Sequence, residues 1–428
     1  MSEIKKISAY TLGCKLNFAE TSTIVQKFLD NGFELVEFGQ PADLTIINTC
    51  TVTSQADKKS RKTIHHASKF AKEIIVIGCS AQLNTEKYAG YSNVIISAGI
   101  KDKFRVFELY QQHKGAHTAY SCDSRAVESF DHAYSISGRT RSFLKIQDGC
   151  DYKCSYCTIP KARGRSRSPR IEEIIRDAQA IAEKGFKEII LTGVNIGDFG
   201  RGTDETFFDL LRALDQQVDI PRIRISSVEP ELLNEDIIRL IAESEKFLPH
   251  FHIPLQSGSD EILRLMRRRY NTRLFAQRIE TIKKLIPDAF IGIDVIVGFP
   301  GESDELFRQT YDFLSNLPFS YLHLFPYSDR PGTEASRLPN KVDARIKDQR
   351  MAELKALSDQ QHKQFYLDHL GKEYNVLFEA RNKEGKIYGF TENYIKTETT
   401  YQPGLVNQIR RVKLLEFTPE HTVKAILL

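Results

Sequence analysis

The sequence contains no run of 18 apolar residues, so a membrane-spanning helix of ordinary length is not expected. Its first residues, Met1-Ser2-Glu3-Ile4-Lys5-Lys6, carry no apolar core of a signal peptide. A cytoplasmic protein with no membrane partner is expected. Charge of either sign is not in excess: 60 Lys and Arg stand against 56 Asp and Glu, a net of +4. That sum neither demands nor excludes nucleic acid, and the distribution of charge carries more information. Cysteine is scarce, with seven in 428 residues, and in a reducing compartment such residues serve metal ligation or catalysis rather than disulfides. The remaining composition, 41% hydrophobic and 27% charged, is that of a globular chain long enough for two to four domains.

Three of the seven cysteines lie together in Cys150-Asp151-Tyr152-Lys153-Cys154-Ser155-Tyr156-Cys157, after the apolar run Phe143-Leu144-Lys145-Ile146. Three thiolates at C-x3-C-x2-C spacing can reach one soft metal centre. A [4Fe–4S] cluster takes four such ligands, so three would leave one iron open to a small molecule. Structural zinc usually shows C-x2-C pairs and a closed fourth ligand. No second C-x2-C pair exists, and the nearest histidine, His132, lies well upstream. The spacing therefore favours an iron–sulfur cluster.

The first 123 residues read as strands alternating with helices, which predicts a parallel, doubly wound sheet. Candidate strands are Ile7–Leu12, Leu44–Ile47 and Ile74–Ile77. Asn17 is expected to cap a helix to about Leu29, and a polar helix is expected over roughly Gln55–Ala71. Cys14, Cys50 and Cys79 each follow a strand's carboxyl end, where ligands bind in such sheets. A lone cysteine there is most often structural. Three at one topological position favour a second three-ligand cluster. Cys122 follows no predicted strand and reads as structural.

Residues 124–138 read as a polar linker. Over 139–343 six βα units recur, with strands at Phe143–Ile146, Glu188–Leu191, Ile223–Ser226, His250–Leu255, Ile291–Val297 and Tyr321–Phe325. Six units fit a partial (β/α)6 barrel, whose active site would lie in the loops after the strands. Those loops hold the cysteine motif, Thr192-Gly193-Val194-Asn195, Ser227-Val228-Glu229-Pro230, Gln256-Ser257-Gly258, Gly298-Phe299-Pro300-Gly301-Glu302 and Pro326-Tyr327-Ser328-Asp329. A linking helix is expected over 344–370. From 371 to 428 short β-rich runs, Tyr374–Phe378, Ile387–Phe390, Leu405-Val406 and Val423–Ile426, suggest a small β-barrel of oligonucleotide-binding size.

The C-x3-C-x2-C motif resembles that of radical S-adenosylmethionine (SAM) enzymes. The order of cysteine-bearing α/β domain, barrel and small β-barrel resembles the methylthiotransferase family over nearly the whole chain. The resemblance implies that Cys150, Cys154 and Cys157 hold a SAM-binding [4Fe–4S] cluster and that Cys14, Cys50 and Cys79 hold an auxiliary one. It places Tyr156 over the adenine of SAM, and Thr192, Gly193 and Asn195 at its methionine end. Ser227 and Glu229 fall on the ribose and amine side, Gly298 and Gly301 at the adenine, and Gln256 also on the cofactor side. The terminal small barrel corresponds to an RNA-binding TRAM domain. Thr11-Leu12-Gly13-Cys14-Lys15-Leu16-Asn17 and Asn48-Thr49-Cys50-Thr51-Val52-Thr53 look like the branch that acts on threonylcarbamoyladenosine 37 of tRNA. The isopentenyl branch usually has Gln and Met after the first cysteine, the ribosomal-protein branch Pro and Lys.

The resemblance implies sulfur insertion at an aromatic C–H, with one SAM used for methylation and a second as radical source. Partners would be the tRNA anticodon stem-loop and an electron-donor protein, and the enzyme is expected to be a monomer. Basic runs without acids, Lys161–Arg170 and Arg264–Arg273, could neutralise phosphates, as could Lys58, Lys59, Arg61 and Lys62. Lys161, Arg163 and Arg165 follow the cysteine motif and are expected to approach the substrate carboxylate. From Gly371 onward nine Lys or Arg face seven Asp or Glu, a weakly basic tail.

Overall fold

The computed structural model describes residues 4–136 and 140–428. The expected boundary between linker and barrel, at 138 and 139, lies outside the described residues. The N-terminal strands are β1 (Lys6–Thr11), β2 (Glu34–Leu35), β3 (Ala42–Thr49), β4 (Ala71–Gly78), β5 (Val94–Ala98) and β6 (Thr118–Tyr120). All pair in parallel, in the order β2-β1-β3-β4-β5-β6. Helix Lys15–Leu29 covers one face with Ala19, Ile24, Val25 and Phe28, and helix Ser54–Ala67 covers the other with Ile64 and Ala67. The sheet is doubly wound, as the alternation of elements required.

Two more triplets of parallel strands form the barrel: β7 (Arg141–Lys145), β8 (Glu188–Thr192) and β9 (Arg222–Ile225), then β10 (His250–Gln256), β11 (Phe290–Val297) and β12 (Tyr321–Pro326). A single parallel bridge, Ser227 to His252, joins the triplets just beyond β9. Alternation along each strand sorts the side chains. Leu144, Ile189, Leu191, Ile223, Ile253 and Ile293 point out and pack under the helices. The opposite phase, Arg141, Lys145, Glu188, Arg222, Arg224, His250, His252, Asp294 and His323, points inward, so the interior is polar. Phe143 and Ile190, of the same inward phase, join the core of the N-terminal unit, whose helix Lys15–Leu29 packs on β7.

Helix Ala344–Leu367 leads to a closed barrel of β13 (Glu373–Lys383), β14 (Lys386–Phe390), β15 (Lys396–Thr400), β16 (Ile409–Phe417) and β17 (Val423–Leu427). This small barrel sits on the amino ends of the large barrel's strands, opposite the cysteine loop. Arg141 donates to Glu379 Oε1 at 2.6 Å, and Arg222 to the Phe390 carbonyl at 3.2 Å. Asn393 donates to the Asp288 carbonyl at 3.1 Å. Tyr394 packs on His250, ring centres 4.6 Å apart.

Several local expectations need correction. Leu405-Val406 is not a strand: Pro403–Leu405 is a 3-10 turn whose Leu405 plugs the small core. Two strands went unread there, because Lys396–Thr400 and much of Ile409–Phe417 are polar on their outer side. Asn17 does not cap its helix. Cys14 is the capping residue, and buried Asn17 donates to the Leu12 and Thr49 carbonyls at 2.8 and 3.2 Å. The second helix ends at Ala67, since Ala71 already begins β4. Cys122 does follow a strand, β6, but one on the far edge of the sheet.

Candidate metal and cofactor centre

β1, β3 and β4 are neighbours, and their carboxyl ends align: Thr11 pairs with Asn48, Asn48 with Ile77, and Thr49 with Gly78. Cys14, Cys50 and Cys79 leave the sheet from that shared edge. Two glycines permit the turns. Gly78 has φ +99°, and a Cβ there would meet Asn48 Oδ1 at 2.2 Å; Gly13 has φ +96°, and a Cβ would meet Cys50 Cβ at 2.9 Å. Short polar side chains tie the three loops. Thr49 Oγ1 donates to the Ile77 carbonyl at 2.7 Å and accepts from Ala81 N at 3.1 Å.

The second set stands on the loop after β7. Gln147, fully buried, donates to the Gly149 carbonyl at 2.8 Å. Its Oε1 accepts from Val194 N at 3.0 Å and Asn195 N at 2.8 Å, which joins the cysteine loop to the loop after β8. Tyr152 N donates to Cys150 Sγ at 3.4 Å, Ile159 N to Cys157 Sγ at 3.4 Å, and Arg268 Nη1 to Cys154 Sγ at 3.2 Å. Burial pushes the Cys50, Cys150 and Cys157 thiols up to about 12. Each set thus offers three sulfurs, and the second set has donors already placed to support the thiolates a cluster requires. The residues fit two [4Fe–4S] clusters.

The SAM residues expected after the strands gather at this mouth. Tyr156 and Gln256 line a cavity of 270 Å³ together with Asp294, Ile296 and Phe325, and with Val52 and Thr53 from the loop after Cys50. One cavity therefore touches both cysteine loops. Asn195 is buried, with both side-chain polar atoms unpartnered among the described residues, an arrangement that a polar cofactor would complete. Glu229 is ion-paired to Arg268, yet burial pushes its carboxyl up to about 7. Thr192 is buried, while Gly193 and Ser227 are half-buried. Gly298 and Gly301 have their N–H groups engaged, by Glu302 Oε2 at 2.8 Å and the Asn340 carbonyl at 3.0 Å, so they shape the turn rather than offer donors.

The substrate residues expected after the cysteine motif divide. Arg165 is exposed. Lys161 is tied to the Gly332 carbonyl at 2.6 Å. Arg163 is 1% exposed and fully engaged by Glu20, Asp148 and Asn17, so it is a buried structural cation and not a free partner for a substrate carboxylate. Sequence reasoning missed Gln147, Arg268 and the inward group of His252, Asp294 and His323. His252 Nε2 lies 2.6 Å from Asp294 Oδ1, and ligand atoms of all three lie within 4.8 Å of one another. Burial, then His252, lowers His323 to about 4. The period-two phase of β10, β11 and β12 could have flagged this group, since it puts His252, Asp294 and His323 on one face.

Residues 144–314 match the radical SAM superfamily, and residues 6–97 match the uncharacterized protein family UPF0004. The chain is 38% identical over 423 residues to the threonylcarbamoyladenosine tRNA methylthiotransferase MtaB of Bacillus subtilis, covering 96% of this chain and 94% of that protein. It is 34% identical to the tRNA-2-methylthio-N(6)-dimethylallyladenosine synthase of Wolinella succinogenes, covering 91% and 92%. Among solved structures, the radical SAM methyltransferase TsrM of Kitasatospora setae superposes with a TM-score of 0.56 at 14% identity, over 78% of this chain and 77% of that one, a likeness of fold alone. The chain belongs to the radical SAM methylthiotransferase family.

Proposed function

We propose that this protein adds a methylthio group to C2 of N6-threonylcarbamoyladenosine at position 37 of tRNA, using SAM and two [4Fe–4S] clusters. The observation that carries the reading is one cavity lined both by Tyr156 of the barrel's cysteine loop and by Val52 and Thr53 from the loop after Cys50. Cys150, Cys154 and Cys157 would hold the SAM cluster, and Cys14, Cys50 and Cys79 the auxiliary one. With a cluster and SAM held there, the site would supply radical chemistry able to activate an aromatic position that no side chain could activate.

The chain's own residues provide position and exclusion of water. Arg268 bridges Cys154, Glu229 and Tyr270, which orients the cysteine loop against the loop after β9. Tyr270 donates onward to the Leu255 carbonyl at 2.9 Å and so fixes β10 to the same assembly. Phe299 and Tyr327 close the apolar side of the pocket against Tyr156. The target base has to leave its stack to enter such an interior. The enzyme would act in the cytoplasm as a monomer, drawing electrons from a donor protein; among the described residues no helix is long and apolar enough to cross a membrane.

The test is to incubate reconstituted enzyme with tRNA bearing threonylcarbamoyladenosine, isopentenyladenosine or unmodified adenosine at position 37. Methylthio nucleoside is followed by mass spectrometry, with reductant-dependent 5′-deoxyadenosine as the sign of SAM cleavage. Product is expected on the first tRNA and little on the others. Equal product on isopentenylated tRNA would overturn the substrate. Absence of 5′-deoxyadenosine would leave only an iron–sulfur RNA-binding protein.

A further inference from the structure

A cavity of 240 Å³ opens beside Cys14, where the N-terminal helix, the large barrel and the small barrel meet. Its walls include Lys15, Phe18, Arg141, Phe143, Ile190 and Tyr394. Lys15 makes no hydrogen bond or ion pair among the described residues. Arg141 gives Nη2 to Glu379 at 2.6 Å and holds Nη1 4.0 Å from Glu188. Arg224 stands behind Tyr394, its Cζ 4.6 Å from the ring centre. It is fully buried, and its Nη2 has no partner among the described residues. Arg222 makes no hydrogen bond through Nε or Nη2 among the described residues, its Nε lying 3.5 Å from Glu188 Oε2. Four cations, Lys15, Arg141, Arg222 and Arg224, thus cluster here; among the described residues their ion pairs go to Glu188 and Glu379 alone, with Glu392 acting on Arg222 from further off.

Cations held away from water without enough counter-charge are costly. An imbalance of this kind at a cavity, rather than in a packed core, is relieved when an anion enters. We propose that this cavity binds the free carboxylate of the N6 substituent on the target adenosine, with Lys15 as its direct ion-pair partner and Arg141 as a second donor. The inference rests on the threonylcarbamoyl reading of the substrate and names the residues that read it. Phe18, Phe143 and Ile190 offer an apolar wall for the threonine methyl group. Cys14 lines the same cavity, so a substituent seated there leaves its adenine beside the auxiliary cysteine loops. An isopentenyl group would fill the space but leave the Lys15 ammonium unpaired, and a site built around polar partners rejects an analogue that lacks them. The discriminating cation is therefore Lys15 and not Arg163, whose guanidinium is consumed by Glu20 and Asp148.

The experiment titrates iron-replete wild-type enzyme and the Lys15→Met variant with anticodon stem-loop RNAs. Position 37 carries threonylcarbamoyladenosine, the same group with its carboxylate converted to a carboxamide, isopentenyladenosine, or unmodified adenosine. Wild type should favour the carboxylate RNA over the carboxamide by about thirtyfold or more, the loss expected when a buried charge pair is truncated. Lys15→Met should bind the two alike with its iron content unchanged, and Lys15→Arg should regain much of the preference. A Lys15→Met enzyme with full iron and intact preference overturns the proposal, as does wild type that binds carboxylate and carboxamide equally. Should Lys15→Met lose iron, the wild-type comparison decides alone. Wild type that prefers and modifies the isopentenyl RNA would overturn the substrate reading itself, a separate result.

Discussion

Arg163 grips Glu20 with two parallel bonds, Nη1 to Oε1 at 3.0 Å and Nη2 to Oε2 at 3.0 Å. One residue lies just past the cysteine motif of the barrel and the other on the helix that follows Cys14, so the pair fastens the two cysteine loops to each other. Lys103, Lys145 and Asp148 complete a buried network around it. Removing one member strands the others without water. Arg163→Ala should lower stability by on the order of 3 to 5 kcal/mol. The shift in urea midpoint measures it. Discrimination among modified tRNAs by the folded fraction should stay unchanged.

Glu188 is buried under Arg224, Arg222 and Arg141, which hold its carboxyl down at about 2 against the opposing effect of burial. The unfolded chain, with an ordinary glutamate near 4.5, binds the proton more readily. Stability from this group is therefore complete above about pH 4.5 and disappears as pH falls through about 2, in total roughly 3 kcal/mol. Glu188→Gln should be less stable at neutral pH and show a flatter stability profile across that acid window, as read by denaturant titration at several pH values.

The parts of the site written in short patterns were legible in the sequence. Cys150, Cys154 and Cys157 declare themselves by spacing, and Cys14, Cys50 and Cys79 by their position after apolar runs. All six barrel strands are legible because apolar residues recur at every second position or in short runs between turn residues, as in Arg222-Ile223-Arg224-Ile225 and Ile291–Val297. Arg268 was not legible as a site residue. In sequence it is one cation of a basic run, and only the fold carries it to Cys154, 114 positions away. Arg163 misled for the same reason, since exposure cannot be read from a charge run and Glu20 lies 143 positions away. Lys15 was read only as part of a motif, and its isolation among buried arginines appears when helix, barrel and tail are assembled.

Two cysteine sets predict two clusters, about eight irons per chain after anaerobic reconstitution. The triple replacement of Cys14, Cys50 and Cys79 by Ala should halve the iron and abolish methylthiolation. SAM cleavage should persist, because the Gln147, Arg268 and Tyr270 framework around the other set is untouched. Gly78→Ala should act in the same direction at a single site. Its φ of +99° and the 2.2 Å approach to Asn48 Oδ1 would displace the loop that carries Cys79. A full eight irons in that variant would show that the loop tolerates the shift.

Truncating the small C-terminal barrel would confuse a structural contribution with a contribution to RNA binding. Its Tyr394 and Glu379 close the floor of the large barrel over Arg141, Arg222, Arg224 and His250. Deleting residues from Gly371 onward would expose that charged floor, so affinity for SAM and for tRNA should fall together. Point changes on its outer surface separate the roles. Arg410 and Lys413 lie on β16 with exposed side chains. If these two exposed charges track the RNA backbone, each that meets a phosphate contributes roughly 0.9 to the slope of log affinity against log salt on a duplex stem. Arg410→Glu with Lys413→Glu should therefore raise the tRNA KM by about tenfold or more at low salt and flatten the salt dependence by roughly two such contributions. The Kd for SAM should not move, because the cavity lined by Tyr156 and Gln256 lies at the other end of the barrel. An unchanged tRNA KM and salt slope would place the RNA on another face and leave the small barrel as a structural plug.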